Sequence, residues 1–150
     1  MKDDILYMRA AIEQAKAAMA CSEVPVGAVI VRHGEIIAAA FNTRETEKNA
    51  LYHAEIKAID QACRRLGGWR LPGCELYVTL EPCPMCAGAI VNSRIERVVF
   101  GAYDYKAGAF GSLFDINSFK LNHKPEIEGG LLADECGELL SSFFRERRGK

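Results

Sequence analysis

The apolar residues of this chain change their spacing several times, and each change marks an element. After Asp3 and Asp4, the residues Ile5, Met8, Ile12, Ala15 and Met19 recur at steps of three and four, one stripe of an amphipathic helix. In "PVGAVIVRHGEIIAAAFN" the pattern becomes a β-branched run, a His33-Gly34 turn and a second apolar run ending at Asn42, which predicts a hairpin. The polar stretch "TRETEKNA" then crosses the surface. From residue 53 to 66 the helical period returns, with Glu55, Ile59, Ala62 and Leu66 on one stripe and Gly67-Gly68 as the stop. Glu55 is therefore expected on the inward face.

"CELYVTL" reads as a buried strand, "PMCAGAIVNSR" as a helix with Pro84 in its first turn, and "RVVFGAY" as a further strand. Residues 103 to 112, "YDYKAGAFGS", read as a Gly-containing loop with two exposed tyrosines. "PEIEGGLL" supplies a short final strand and "LADECGELLSSFFRERR" a last helix. Helices alternating with strands predict an α/β chain whose sheet carries helices on both faces.

Length and composition narrow this only a little. The 150 residues fit one domain, 1–150, that buries roughly two-thirds of the surface of its unfolded chain. With 49% hydrophobic and 26% charged residues the composition is that of a globular protein, and no repeat, low-complexity segment or linker divides it. Residues 1 to 20 hold no continuous apolar run, so neither a signal peptide nor a membrane span is expected and the protein reads as cytoplasmic. Six cysteines there need not form disulfides, and a Cys-x-x-Cys pair points instead to metal or redox chemistry. The formal net charge of −1 supplies no overall basic field. Only "FRERRGK", with Arg145, Arg147, Arg148 and Lys150, is locally basic, and it suits either phosphates or a solvated helix end.

The candidate chemistry lies in "YHAEI" and "EPCPMC". A catalytic zinc takes three protein ligands of thiolate and imidazole type and keeps a fourth position for water, and His53, Cys83 and Cys86 supply three. Cys83 and Cys86 are three apart at a helix start, where their sulfurs share a side and the helix dipole favours thiolates. Glu55, inward-facing beside His53, suits proton transfer next to a metal-activated water. Two other readings of the cysteine pair stand beside this one. A thioredoxin-like dithiol would use Cys83 as nucleophile. A structural zinc would need a fourth ligand, for which Cys21, Cys63, Cys74 and Cys136 lack ligand spacing and read as small buried hydrophobes.

His-x-Glu together with Pro-Cys-x-x-Cys is the signature of the zinc nucleobase deaminases, the transfer-RNA adenosine deaminases among them. The likeness is wider than the signature. "EVPVGAVIV", "HAEIKAI", "WRLPGCELYVTLEPCPMCAGAIVNSRI", "RVVFGA", "AGAFGS", "NHKPEI", "GLLADEC" and "SFFRERR" follow the order and spacing of the bacterial tRNA-specific adenosine deaminases, which the chain resembles over nearly its whole length. The resemblance implies a three-layer α/β/α, cytidine-deaminase-like fold with a central five-stranded mixed sheet flanked by helices. It implies zinc-dependent hydrolysis of adenosine to inosine at the wobble position of a tRNA anticodon. His53, Cys83 and Cys86 would hold one zinc per chain and Glu55 would shuttle protons. Asn42 would hydrogen-bond the base and Val26 pack against it, with Ala54 also in the substrate site. Asp104, Lys106, Phe143, Phe144 and Arg145 would meet the RNA of the anticodon stem-loop, with one of the two phenylalanines packing the core, and the protein would be a homodimer. Tyr52 and Tyr105 depart from the small, aliphatic or proline residues usual at those positions. The signature by itself also fits a deaminase of a free base or nucleoside.

Overall fold

The computed structural model describes residues 3–148, so Lys150 of the basic tail lies outside the described residues, as does the side chain of Arg148. Helix α1 (Asp4–Ala20) is followed by strands β1 (Gly27–Arg32) and β2 (Glu35–Phe41), helix α2 (Ala54–Leu66), strand β3 (Cys74–Leu80), helix α3 (Pro84–Ser93), strand β4 (Arg97–Ala102), strand β5 (Glu126–Gly129) and helix α4 (Ala133–Arg148). The strands form one sheet in the order β2-β1-β3-β4-β5. β1 is antiparallel to both β2 and β3, whereas β3, β4 and β5 run parallel, so the sheet is mixed as expected. His33 and Gly34 both take positive φ in the β1–β2 turn, the backbone that a two-residue hairpin requires.

Strand alternation divides the core into two layers. Val29, Val31, Tyr77 and Val99 face α1 and α4, and Ala28, Ile30, Leu76, Val78 and Val98 face the small residues Ala54, Ala58, Ala62 and Ala87 of α2 and α3. Small side chains on α2 let it lie close to the sheet, which brings its N-terminus to the carboxyl end of β3. No helix among the described residues is long and apolar enough to cross a membrane.

The phase of α1 differs from the expected stripe. Met8, Ile12 and Ala15 of that stripe are buried, but Ile5 is 48% exposed and Met19 only half-buried, while Asp4, Tyr7, Ala11 and Ala18 join the buried face. The helix is turned by a polar anchor. Both guanidinium arms of Arg97 donate to Asp4, at 2.8 and 3.0 Å, and the Tyr77 hydroxyl donates to it at 2.6 Å. All six cysteines are free, but Cys21 is exposed and Cys63 half-buried, so only Cys74 and Cys136 are the buried small hydrophobes expected of that group.

Candidate active site

β3 ends at Leu80, and the chain passes through Glu81 and Pro82 to Cys83, whose extended backbone N-caps α3. Pro84 follows in the first turn, a position with no N–H bond to lose, and Cys86 completes that turn. His53 is likewise an extended N-cap, one residue before α2 begins. The two helix starts meet at the carboxyl end of β3, where open α/β sheets place their ligands.

His53 Nδ1 lies 3.6 Å from the Sγ of Cys83 and 3.6 Å from the Sγ of Cys86, and the three ligand atoms all lie within 4.8 Å of one another. A tetrahedral zinc with ordinary Zn–S and Zn–N bonds holds sulfur and nitrogen roughly 3.6 Å apart. The trio therefore fits a single ion as it stands. Its electrostatics agree. Cys83 is pulled down to about 4, first by the hydrogen bond from Cys86 and also by His53. Cys86 is pushed up by the same bond and by burial, so the two sulfurs share a proton that a thiophilic cation would displace. His53 is raised by its hydrogen bond with Cys83.

Glu55 is 4% exposed, and burial pushes its carboxyl up to about 7. It shares a cavity of about 180 Å³ with Val26, Asn42, His53, Ala54, Cys83 and Asp104, while Cys86, the third member of the trio, is fully buried. A larger cleft of about 650 Å³ surrounds Asp4, Arg97 and Glu128, but it is lined by no histidine or cysteine, and Arg97 there pairs with Asp4, Glu75, Glu126 and Glu128. Asn42 is held from both ends, its Oδ1 accepting the Arg44 N–H at 3.1 Å and its Nδ2 donating to the Val24 carbonyl at 3.3 Å. One amide hydrogen and one lone pair stay available to a base.

Of the residues expected to meet RNA, only Asp104 lines this cavity. Lys106 is exposed on the adjacent loop. On α4, Phe143 is the phenylalanine that packs inward and Phe144 the one that stays exposed, with their rings edge-on at 5.3 Å. Arg145 pairs with Glu138 at 2.8 Å, and the Arg147 guanidinium lies over the Phe143 ring. Tyr105 is 77% exposed and its ring stacks on Tyr103.

Several residues around the site had no role assigned to them from the sequence. Arg44 stands at the cavity wall, two positions after Asn42, and that proximity was its only signal. Tyr52 braces the 43–49 segment. Its carbonyl accepts the Thr43 N–H, and its ring lies 5.8 Å from the Lys57 ammonium, which donates to Thr43 Oγ1 and Glu47 at 2.9 Å. Glu23 and Glu81 are buried carboxylates that accept from the backbone of two flanking loops, a partnership no side-chain pattern announces.

The family described as the cytidine and deoxycytidylate deaminase zinc-binding region matches residues 1–102. A tRNA-specific adenosine deaminase of Bacillus subtilis (strain 168) is 56% identical over all of this chain and 94% of its own length. Another, from Aquifex aeolicus (strain VF5), is 50% identical over 95% of this chain and 94% of its own. Among solved structures, one from biochemical and structural studies of A-to-I editing by tRNA:A34 deaminases at the wobble position of transfer RNA superposes with a TM-score of 0.84 at 42% identity, covering 89% of this chain and 98% of that one. A guanine deaminase from Nitrosomonas europaea superposes with a TM-score of 0.79 at 28% identity, covering 93% of this chain and 83% of that one.

Proposed function

The chain belongs to the zinc-binding cytidine and deoxycytidylate deaminase family, and within it to the tRNA-specific adenosine deaminases; from that premise we propose that it converts adenosine and water to inosine and ammonia at the wobble position of a tRNA anticodon. The observation that carries the reading is the buried Glu55 beside a His53, Cys83 and Cys86 trio spaced for one zinc. Zinc bound there supplies the Lewis acidity that lets water attack an electron-poor carbon at neutral pH.

The rest of the work falls to the protein. Glu55 takes a proton from the attacking water and passes it to the ring nitrogen next to the reacting carbon; it then takes the remaining proton of the new hydroxyl and gives it to the amino group, which leaves as ammonia while the carbonyl forms. A carboxyl that burial holds near neutrality suits a group that must both accept and give a proton. Asn42 hydrogen-bonds the inserted base, Val26 packs on its face, and Ala54, with no side chain beyond Cβ, leaves room for it. An adenosine reaches so small a cavity only when flipped out of its stack, which an anticodon loop permits at low cost. Asp104, Lys106, Phe144 and Arg145 are the candidates for holding the flanking nucleotides, and buried Phe143 supports Phe144 from beneath. The reading carries a cytoplasmic enzyme, since that is where transfer RNA is used, and a homodimer whose partner completes the RNA surface.

Glu55→Ala should keep about one zinc per chain, the ligand trio being intact, and lose inosine formation on a minimal anticodon stem-loop. Normal turnover by that variant sinks the mechanism. The likeness to a guanine deaminase makes turnover of free guanine, cytosine or adenosine the second measurement, and activity there with none on the stem-loop reassigns the substrate.

A further inference from the structure

Glu81 is 2% exposed, and proton transfer at the site makes no use of it. Among the described residues its carboxylate has no ion-pair partner. Its partners are instead the loop between β4 and β5. The backbone N–H groups of Asp104, Phe110 and Ser112 donate to it at 3.1, 3.0 and 3.2 Å, and the Ser112 hydroxyl donates as well. The loop backbone lies directly on the carboxylate, since a Cβ on Gly108 would meet Glu81 Oε1 and Oε2 at 2.4 and 2.5 Å. One anion thus binds three separate points of a segment that contributes Asp104 and Ala107 to the cavity wall.

We propose that Glu81 is a positioning residue for the substrate, which acts by holding the 103–112 loop against the cavity. The assignment rests on the deaminase reading for the identity of that substrate. The loop contributes neither a member of the His53, Cys83 and Cys86 trio nor the proton-transfer group. Loosening it therefore weakens capture of the RNA and leaves the chemical step nearly intact, the signature of lost uniform binding. A glutamine of the same length keeps one acceptor oxygen but turns an amide N–H₂ toward backbone donors, so one or two of the four bonds fail.

The test uses the full-length, zinc-loaded protein. Glu81→Gln should raise KM for the anticodon stem-loop by about tenfold or more, the worth of one or two hydrogen bonds to a charged group, while kcat stays within about threefold and zinc stays near one per chain. Amide hydrogen exchange at Phe110 and Ser112 should accelerate by at least about tenfold. Ser112→Ala, which removes one donor from a partly exposed position, should shift both readouts in the same direction by about threefold and keeps the test decisive if Glu81→Gln folds poorly. Unchanged exchange at these amides overturns the assignment, as does a fall in kcat at constant KM. Loss of zinc also overturns it, by making Glu81 a support for Cys83 instead. Failure of the wild-type protein to make inosine counts against the deaminase reading, and the exchange measurement then decides the hold of Glu81 on the loop by itself.

Discussion

Replacing Gly27 by alanine tests how the first strand is seated beneath α1. A Cβ there would lie 2.1 Å from the Ala11 carbonyl oxygen and 2.4 Å from the Ala15 nitrogen. Both obstacles are backbone atoms in the middle of a helix, so no side chain can swing away. Ordinary contact begins at 3.4 Å, and α1 would have to retreat by about 1.3 Å to restore it. That retreat loosens Met8, Ala11 and Ile12 from Val29 and Val31 and strains the 2.8 Å bond between Arg97 and Asp4. Overpacking typically costs about 1–3 kcal/mol, and with the ion pair disturbed as well the upper end, about 3 kcal/mol, is expected. For a chain of this size that lowers Tm by about 6–12 °C. The same substitution at Gly137, inside α4 with no atom within 4 Å of a Cβ, should have the opposite sign. It removes a helix-interior glycine and should stabilise by about 0.5–1 kcal/mol. Urea unfolding followed by circular dichroism compares the two variants with the parent. A Gly27→Ala loss under about 0.5 kcal/mol, or shifts of the same sign in both variants, refutes the reasoning.

Two further outcomes follow from polar contacts. Arg97 holds the Asp4 carboxyl well below the usual carboxylate range, so the pair stabilises the fold above the unfolded-state pKa of about 4 and loses that contribution as pH falls toward the depressed folded value. Asp4→Asn should cost about 2 kcal/mol at pH 7, less than a fully stranded partner because Arg97 keeps Glu128 at 2.7 Å, and a gap that stays constant from pH 7 to pH 3 in denaturant titrations contradicts it. Asn42→Ala strands the Val24 carbonyl and removes the donor and acceptor that the proposed reading assigns to the base, so kcat/KM on the stem-loop should fall by about 10- to 100-fold with zinc retained, and steady-state kinetics within twofold of wild type remove Asn42 from the site.

What could be read from the sequence was whatever is encoded locally. Cys83 and Cys86 share a helix start and Pro84 fixes it, so their common side follows from spacing, and the Glu55 stripe follows from the period of α2. The meeting of His53 with that pair required the fold, yet the residue types and the intervening helix and strand already implied it. The phase of α1 could not be read the same way. Apolar periodicity favours Ile5, but burying Asp4 depends on Arg97, 93 positions away, and on Tyr77, and a charge with a distant partner looks like a surface charge until the partner is placed.

The three buried glutamates show the limit most clearly. Glu23, Glu55 and Glu81 are 1%, 4% and 2% exposed, so burial does not separate a carboxylate beside the metal-type trio from one that braces a loop. Their partners do. The oxygens of Glu23 are taken by the N–H groups of Glu45 and Thr46 and by the Thr46 hydroxyl, and those of Glu81 by the loop from Asp104 to Ser112. The neighbours of Glu55 are His53, Cys83 and Cys86, the groups that assemble a metal. Backbone donors have no signature in the sequence, so the two braces were silent there, whereas Glu55 was visible because its partners are side chains of the kind that carry chemistry. The two loops so braced supply Arg44 and Asp104 to the cavity wall. The Arg44 and Asp104 parts of the cavity wall are therefore set by buried charge on backbone, and the trio by side chains on two helix starts. Substitutions at the braces should accordingly change which RNA is held more than how fast a held base reacts.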